Sequence, residues 1–365
     1  MENIRRIAEQ FCTQGKVKEL IPFGNGHIND TFRVICEGDS GVEKKYILQR
    51  INHEIFKDPA GLMENVRNVT EFLKKKILAS GGDPLRETLT VICSKDQKDY
   101  VKTEGGSWWR MYLFIDDTFC MEMVEKPEDF YNCAVSFGNF QRLLSDYPAE
   151  TLCEVIPNFH NTVSRFADFV KAVEADVCGR KKEVEAEIQF ILDRKADCHV
   201  ICDGLESGEI PLRVTHNDTK INNIMLDNET GKAICVIDLD TIMPGSSLYD
   251  FGDSIRSGAN TGAEDEPDLS RVSCNLELFE CYAKGFVEGC GGSLTDREIE
   301  LLPMGAKIIT LEQGIRFLTD YLQGDTYYKI HRAGQNLDRA RTQLKMVADM
   351  ESKWEEMEAI VRKYM

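Results

Sequence analysis

The sequence predicts an α+β protein of two lobes, a small β-rich one followed by a larger helical one. Three observations carry this. The first hundred or so residues hold short runs of β-branched and aromatic residues, separated by glycine and polar turns. From about Pro127 onward, apolar residues recur at three- and four-residue spacing. The chain has 365 residues, long for one core and comfortable for two.

In order, Lys18 to Ile35 reads as strand, glycine-rich turn and second strand, and Lys45 to Ile51 as a third strand. Pro59 opens a helix in which Leu62, Val66, Val69 and Leu73 share one face, and Gly81-Gly82 ends it. Thr88 to Cys93 and Trp108 to Ile115 read as further strands. Helical spacing then marks Phe130 to Leu144, Val163 to Val173 and Val184 to Leu192. Leu212 to Thr215, Ile224 to Leu226 and Ala233 to Ile237 are strand-like, and Asp227 to Gly231 is a hairpin turn signal between the last two. The remainder reads as helix, closing on one helix whose stripe runs from Leu337 to Val361. Its methionines and Trp354 are expected to be core packing. The expected units are residues 1–113 and 114–365, joined within Leu113 to Asp117.

The net charge of −18 repels nucleic acid phosphates and anionic lipid, so neither is an expected partner. No apolar stretch approaches the roughly 20 residues that span a bilayer. The first twenty residues lack the apolar core of a signal peptide, so a cytoplasmic location is expected. Thirteen cysteines lie scattered without a CxxC pair, several in strand-like runs, and read as small buried hydrophobes. Cys198, His199 and Cys202 could offer three ligands to zinc, but no fourth stands nearby.

Chemistry concentrates in Val-Thr-His-Asn-Asp-Thr-Lys-Ile-Asn-Asn, residues 214–223. Asp218 can accept the proton of an attacking hydroxyl. Asn223, five residues on, can offer its amide oxygen to a metal ion. The spacing is that of the kinase catalytic loop. Asp238 ends the apolar run Ile234 to Ile237, fifteen residues after Asn223. It either joins Asn223 on Mg²⁺ or, with Asp240, merely terminates a strand. Gly24 and Gly26, between two strands, permit close backbone approach to phosphates. The third strand offers Arg50 as a cation, with Glu64 on the next helix as its possible partner. Trp108 to Ile115, including Tyr112 and Leu113, is the candidate hinge whose backbone could hold adenine.

Taken together, these parts resemble the aminoglycoside phosphotransferase and choline kinase family, small-molecule kinases with the bilobal protein-kinase-like fold. VTHNDTKINNIML is similar to that family's catalytic loop and VIDLD to its metal segment. FGNGHINDTF, YILQRINHEIFKDPAGLMENV, IPNFHNTVSRF and RFLTDYLQGDTYYK look closest to the N-acetylhexosamine 1-kinases within it. The resemblance covers nearly the whole chain. It implies transfer of phosphate from ATP to the anomeric hydroxyl of an N-acetylhexosamine (GlcNAc or GalNAc). It implies Asp218 as the base, Asn223 and Asp238 as Mg²⁺ ligands, and His216 as a scaffold. Arg316 and Tyr327 resemble sugar-contacting residues. Asp320, four residues after Arg316, either orients that arginine, bonds a hydroxyl, or forms a plain surface ion pair. Tyr249 to Asp253 reads as a glycine turn that anchors the loop after Asp238. Within the same fold the acceptor could instead be choline, homoserine or an aminoglycoside. In another class, the chain could be a non-catalytic kinase-shaped binding module.

Overall fold

The computed structural model describes residues 1–24, 29–124 and 126–365. It divides into two compact units. The first comprises Met1–Cys120, Thr151–Pro157 and Ile224–Met243, and the second Met121–Glu150, Asn158–Asn223 and Pro244–Met365. The β-rich unit therefore runs a few residues past Leu113 and takes in two later segments, one of them the expected hairpin.

The first unit is built on an antiparallel sheet. Its strands are β1 (Lys16–Pro22), β2 (Asp30–Glu37), β3 (Glu43–Ile51), β4 (Val101–Lys102) and β5 (Trp108–Leu113), in the order β1-β2-β3-β5-β4. Side chains alternate across such strands. Val34, Cys36, Tyr46, Leu48, Trp109 and Met111 form one buried face, packed with Ile7, Ala8 and Phe11 from the N-terminal segment. The short helix Glu2–Ala8 has too few turns to show a period in the sequence. Because Leu48 pairs with Met111, the neighbouring pair Gln49 and Arg110 must lie on the opposite face.

Thr88 to Cys93 is not a strand. Ladder pairing of β4 covers only Trp108 and Trp109 on the outer edge of β5. The expected strand covers the rest of that edge irregularly. Ile92 donates to the Met111 carbonyl at 2.8 Å, and Leu113 to the Thr90 carbonyl at 2.9 Å.

Pro59–Ala79 is the expected helix, with Pro59 in its first turn and Asp58 as N-cap accepting from the Gly61 N–H at 3.0 Å. A small second sheet pairs Thr118–Cys120 with Ile224–Asp227, and that strand with Ala233–Val236. The hairpin turn closes as its composition predicts. Asp227 Oδ1 accepts from the N–H groups of Glu229 and Thr230, and Gly231 takes φ +66°.

The second unit is helical. Pro127–Leu143 and Leu276–Cys290 cross closely because glycines line the contact. A Cβ on Gly285 would lie 2.5 Å from the Tyr131 carbonyl oxygen. Leu302–Leu322 runs through the core, and Gly305 lets it approach Ser247–Gly258. Phe251 packs edge-on against Phe279, Tyr282 and Phe286. The final stripe divides into Gln335–Ser352 and Trp354–Val361. The break falls at Lys353, whose ammonium turns to Asp349 and the Cys274 carbonyl. Met350 and Met357 are fully buried, as the stripe requires. Among the described residues, no helix is long and apolar enough to cross a membrane.

Candidate active site

The catalytic-loop motif follows the strand Arg213–Thr215, which is anchored from below. Arg213 Nε meets Glu298 Oε1 at 2.5 Å and its Nη2 meets Oε2 at 2.7 Å, with both residues buried. Burial works against the Glu298 charge, but Arg213 outweighs it and holds the carboxyl below the usual range.

The loop then turns through Asn217 at φ +64°, a region that asparagine tolerates better than most residues. Its backbone donors go to one buried carboxylate. Asp250 Oδ2 accepts from the His216 N–H at 3.0 Å and Oδ1 from the Asn217 N–H at 2.8 Å, and Gln141 Nε2 donates to Oδ2 at 2.7 Å. Burial pushes the Asp250 carboxyl upward, against the pull of His216 and these donors. Asp253 continues the clamp by accepting from the Thr219 N–H at 3.0 Å. Burial opposes its charge too, yet Arg256 and Lys220 keep it below the ordinary value. The segment Tyr249 to Asp253 is thus not a glycine turn. It lies in the helix Ser247–Gly258, and one helical turn separates the two clamping carboxylates.

The His216 ring sits edge-on to Phe137 and Phe140, with centroids 5.5 and 6.0 Å away, and is fully buried. Residues 213 to 219 are all buried except Asp218, which is half-buried. Lys220 Nζ lies 2.7 Å from Asp218 Oδ1. Burial disfavours the lysine charge, but Asp218 and Asp253 raise its pKa above the ordinary value. Asn223 Nδ2 donates to the Asp218 carbonyl at 2.8 Å and to its Oδ2 at 3.2 Å. The two motif residues are therefore coupled directly, and the amide oxygen of Asn223 faces away from that contact.

In the β-rich unit, Ile224 pairs with Val236 across the hairpin. The chain enters the hairpin directly after Asn223 and leaves it two residues before Asp238. Asp238 adopts the left-handed conformation, φ +59° and ψ +56°, and a single 3-10 turn follows, Leu239–Thr241. It terminates a strand run, but in a backbone state that asparagine and aspartate enter more readily than most. Asp240 is 5% exposed and paired with Arg110 Nη1.

The nucleotide candidates fall out unevenly. Gly24 takes φ +78°, and among the described residues nothing lies within 4 Å of where a Cβ would stand, as a close-approach glycine needs. Gly26 lies outside the described residues. Arg50 leaves β3 on the Leu48 side, opposite to Arg110, and is half-exposed. It pairs with Asp30 at 2.7 Å, not with Glu64, because Asp30 is its direct cross-strand neighbour. Tyr112 is buried on β5 beneath the Arg110 guanidinium, 5.2 Å from the ring centroid. The Leu113 N–H is taken by the Thr90 carbonyl, so a hinge contact through that donor is closed.

On the helix Leu302–Leu322, Arg316 is half-buried and lies over the rings of Phe159 and Tyr328 at 5.3 and 5.7 Å. It faces Glu312 at 3.6 Å and Gln313 at 3.3 Å, one turn back. Glu312 also meets His160 Nδ1 at 3.0 Å. Among the described residues, His160 Nε2 is buried with no hydrogen-bond partner. Asp320 does not orient Arg316 and is not a surface residue. Its carboxylate accepts from the N–H groups of Thr326, Tyr327 and Tyr328 at 2.8, 2.8 and 2.9 Å, and from Asn336 Nδ2 at 2.8 Å. It is a buried clamp on the loop that carries Tyr327, which is 65% exposed.

Several of these residues had signals in the sequence. Lys220 stands two residues after Asp218 in the motif itself. Arg110 and Glu312 are lone charges in apolar runs, WWRMYLFI and IITLEQGI. A charge there must be paired if the run is buried.

Solved structures similar over nearly the full chain share this architecture. A microcompartment-associated aminopropanol kinase is 14% identical, with TM-score 0.63 and 98% of each chain covered. An aminoglycoside phosphotransferase from Alicyclobacillus acidocaldarius is 11% identical, with TM-score 0.60, covering 98% of this chain and 95% of that one. An ethanolamine kinase from Plasmodium vivax is 14% identical, with TM-score 0.54, covering 92% and 83%. At these identities the likeness is one of fold. The family assignment comes from sequence: the model of the phosphotransferase enzyme family matches residues 19–274, and the chain belongs to that family.

Proposed function

We propose that this phosphotransferase moves the γ-phosphoryl group of ATP to the anomeric hydroxyl of an N-acetylhexosamine, releasing the sugar 1-phosphate. The observation that carries the chemistry is the state of Asp218. It is the one half-buried side chain in an otherwise buried seven-residue stretch, on a loop whose backbone donors are already taken by Asp250 and Asp253.

In this reading Asp218 orients the acceptor hydroxyl and takes its proton as the O–P bond forms. Lys220, 2.7 Å from Asp218, offsets negative charge gathering at the phosphoryl oxygens. Asn223 and Asp238 are the proposed ligands of Mg²⁺. Both offer hard oxygen donors, and the Asn223 amide is turned by its bonds to Asp218 so that its nitrogen is occupied and its oxygen is not the donor-facing atom. When bound, the ion would supply positive charge that offsets that of the nucleotide phosphates. Two protein ligands suffice for an ion that keeps several waters.

The acceptor class rests on the resemblance to N-acetylhexosamine 1-kinases and on the charge balance around Arg316. A quaternary ammonium or polyamine needs free aromatic faces and unpaired carboxylates. Here Arg316 already covers Phe159 and Tyr328, Glu312 faces Arg316 and His160, and Asp320 is spent on backbone donors. A neutral polyhydroxyl ligand suits such a cluster better.

The test is a panel of hexosamines, hexoses and amino alcohols with Mg²⁺ and ATP, read by ³¹P NMR. The expected product carries phosphate on C1 of an N-acetylhexosamine. Asp218→Asn should keep the melting temperature and nucleotide affinity while lowering turnover about 10²-fold or more. Near-normal turnover in that variant would remove Asp218 from the base role, and phosphorylation of an amino alcohol alone would overturn the sugar assignment.

A further inference from the structure

The β-rich unit contains a buried polar network that the reaction as described does not use. Arg110, on β5, is 1% exposed. Its Nε donates to Gln49 Oε1 at 3.0 Å, its Nη1 bonds Asp240 Oδ1, and its plane lies over Tyr112. The second oxygen of Asp240 accepts from Asn29 Nδ2 at 2.8 Å. Asn29 in turn accepts the Asn52 N–H through its own Oδ1 at 3.0 Å. Gln49 is fixed as well, donating to Thr31 Oγ1 at 3.1 Å.

Two physical points follow. Both oxygens of Asp240 are committed, and it is buried against a guanidinium, so it is not a ligand in waiting. Second, the network joins three pieces of backbone: Asn29 just before β2, the central strands β3 and β5, and the 3-10 turn that begins after Asp238. That turn is pinned again two residues later, where the Ile242 carbonyl accepts from Asn65 Nδ2 at 3.0 Å. The charge of Arg110 also reaches past Asp240 to Asp238, whose field helps raise the arginine's pKa.

We propose that Arg110 and Asp240 are positioning residues for the metal: their buried pair fixes the turn that presents Asp238 and ties it to Asn29 just before β2. The inference rests on the reading of Asp238 as a metal ligand. A buried pair of this kind contributes little net stability against an apolar replacement, but it specifies one arrangement of the groups it joins. Residues that orient a metal ligand without touching the metal change affinity by about 10–100-fold when removed.

The test uses the full chain and Mn²⁺ as probe, with ADP present, followed by electron paramagnetic resonance. ADP affinity is measured separately in EDTA. Asp240→Asn and Arg110→Met should each weaken Mn²⁺ binding about tenfold and leave metal-free ADP affinity within about twofold. Arg110→Lys keeps the charge but loses the fork to Gln49, and should fall between. Because Arg110→Met leaves a buried carboxylate unpaired, the double variant Arg110→Met/Asp240→Asn serves if the single one does not fold. Steady-state kinetics should show the loss as a higher Mg²⁺ requirement at unchanged acceptor KM. Folded variants with wild-type Mn²⁺ affinity would overturn the proposal, as would equal losses of Mn²⁺ and metal-free ADP binding. Asp238→Ala separates the two readings. If it abolishes Mn²⁺ binding while the Arg110 and Asp240 variants do not, the ligand stands and the positioning role fails. If it binds Mn²⁺ normally, the ligand assignment fails and the proposal falls with it.

Discussion

Replacing Asp250 by asparagine is the sharpest perturbation of the loop that does not touch the candidate base. Asp250 holds three donors on two oxygens: His216 N–H and Gln141 Nε2 on Oδ2, and Asn217 N–H on Oδ1. An asparagine can place its amide oxygen at the Oδ2 position and keep two of them. Its NH₂ then faces the Asn217 N–H, donor against donor. One bond to a charged acceptor is lost, worth about 1.5–3 kcal/mol, and a buried N–H is left unsatisfied at about 1–3 kcal/mol. Burial already opposes the Asp250 charge, so removing it returns part of this. The net is about 3 kcal/mol, or a melting temperature about 6–12 °C lower at roughly 2–4 °C per kcal/mol for a large domain. Asn217 sits in the left-handed region one residue before Asp218, so the loss should also loosen the base. Turnover should fall by about tenfold or more, since small misplacements of reacting groups are costly, while nucleotide affinity holds. Thermal melting, steady-state kinetics and amide exchange at His216 and Asn217 would measure this. A variant that melts within about 2 °C of the parent and turns over normally would show that Asp250 does not hold the loop.

The other predictions are these. Arg316→Ala should raise the acceptor KM strongly and leave the nucleotide KM nearly unchanged, with a loss of about ten- to a hundredfold in kcat/KM; an equal loss for ATP would move the acceptor site elsewhere. Glu298→Gln should destabilise the helical unit at neutral pH, since it breaks a buried pair with Arg213. The sign with pH is definite: the folded carboxyl lies below its ordinary 4.5, so its contribution is complete above that value and is lost as pH falls through the depressed one. The gap in melting temperature between parent and variant should therefore narrow in acid; a constant gap would deny the ionic part.

Much of the architecture was legible because it rests on local periodicity. The helix from Pro59 announces itself by Asp58, a proline in the first turn and four apolar residues on one face. The hairpin announces itself by Asp227 to Gly231. What periodicity could not resolve was competition for a shared edge. Thr88 to Cys93 has strand composition, yet it pairs with β5 only in part because β4 takes the rest. A stripe likewise does not reveal a break, so the last helix read as continuous across Lys353. At the candidate site, spacing singles out Asp218, Asn223 and Asp238 as candidates. It misplaces Asp320, since a carboxylate four residues from an arginine looks like its ion-pair partner. In the structure that carboxylate is consumed by three backbone N–H groups that only the return of the chain at Thr326 to Tyr328 brings within reach.

The acidic residues of this chain thus do two kinds of work, and the difference is physical. Asp240, Asp250, Asp253 and Asp320 are buried, and each is satisfied by a cation, by backbone donors or by both. In a low-dielectric interior such a carboxylate is stable only when its lone pairs are filled, so it is rigid and chemically unavailable. Asp218 differs in being half-buried, with its charge balanced by the half-exposed Lys220. In the proposed role of base, Asp218 must give up a partner to an incoming hydroxyl, and the half-exposed Lys220 ammonium yields more cheaply than a fully buried guanidinium. The clamps act on the neighbours of the proposed reactive groups: Asp250 and Asp253 on residues 216, 217 and 219 around Asp218, and Asp240 on the turn after Asp238. Fixing the flanking backbone holds each of these side chains in place through its neighbours, and such pre-organisation is what phosphoryl transfer needs.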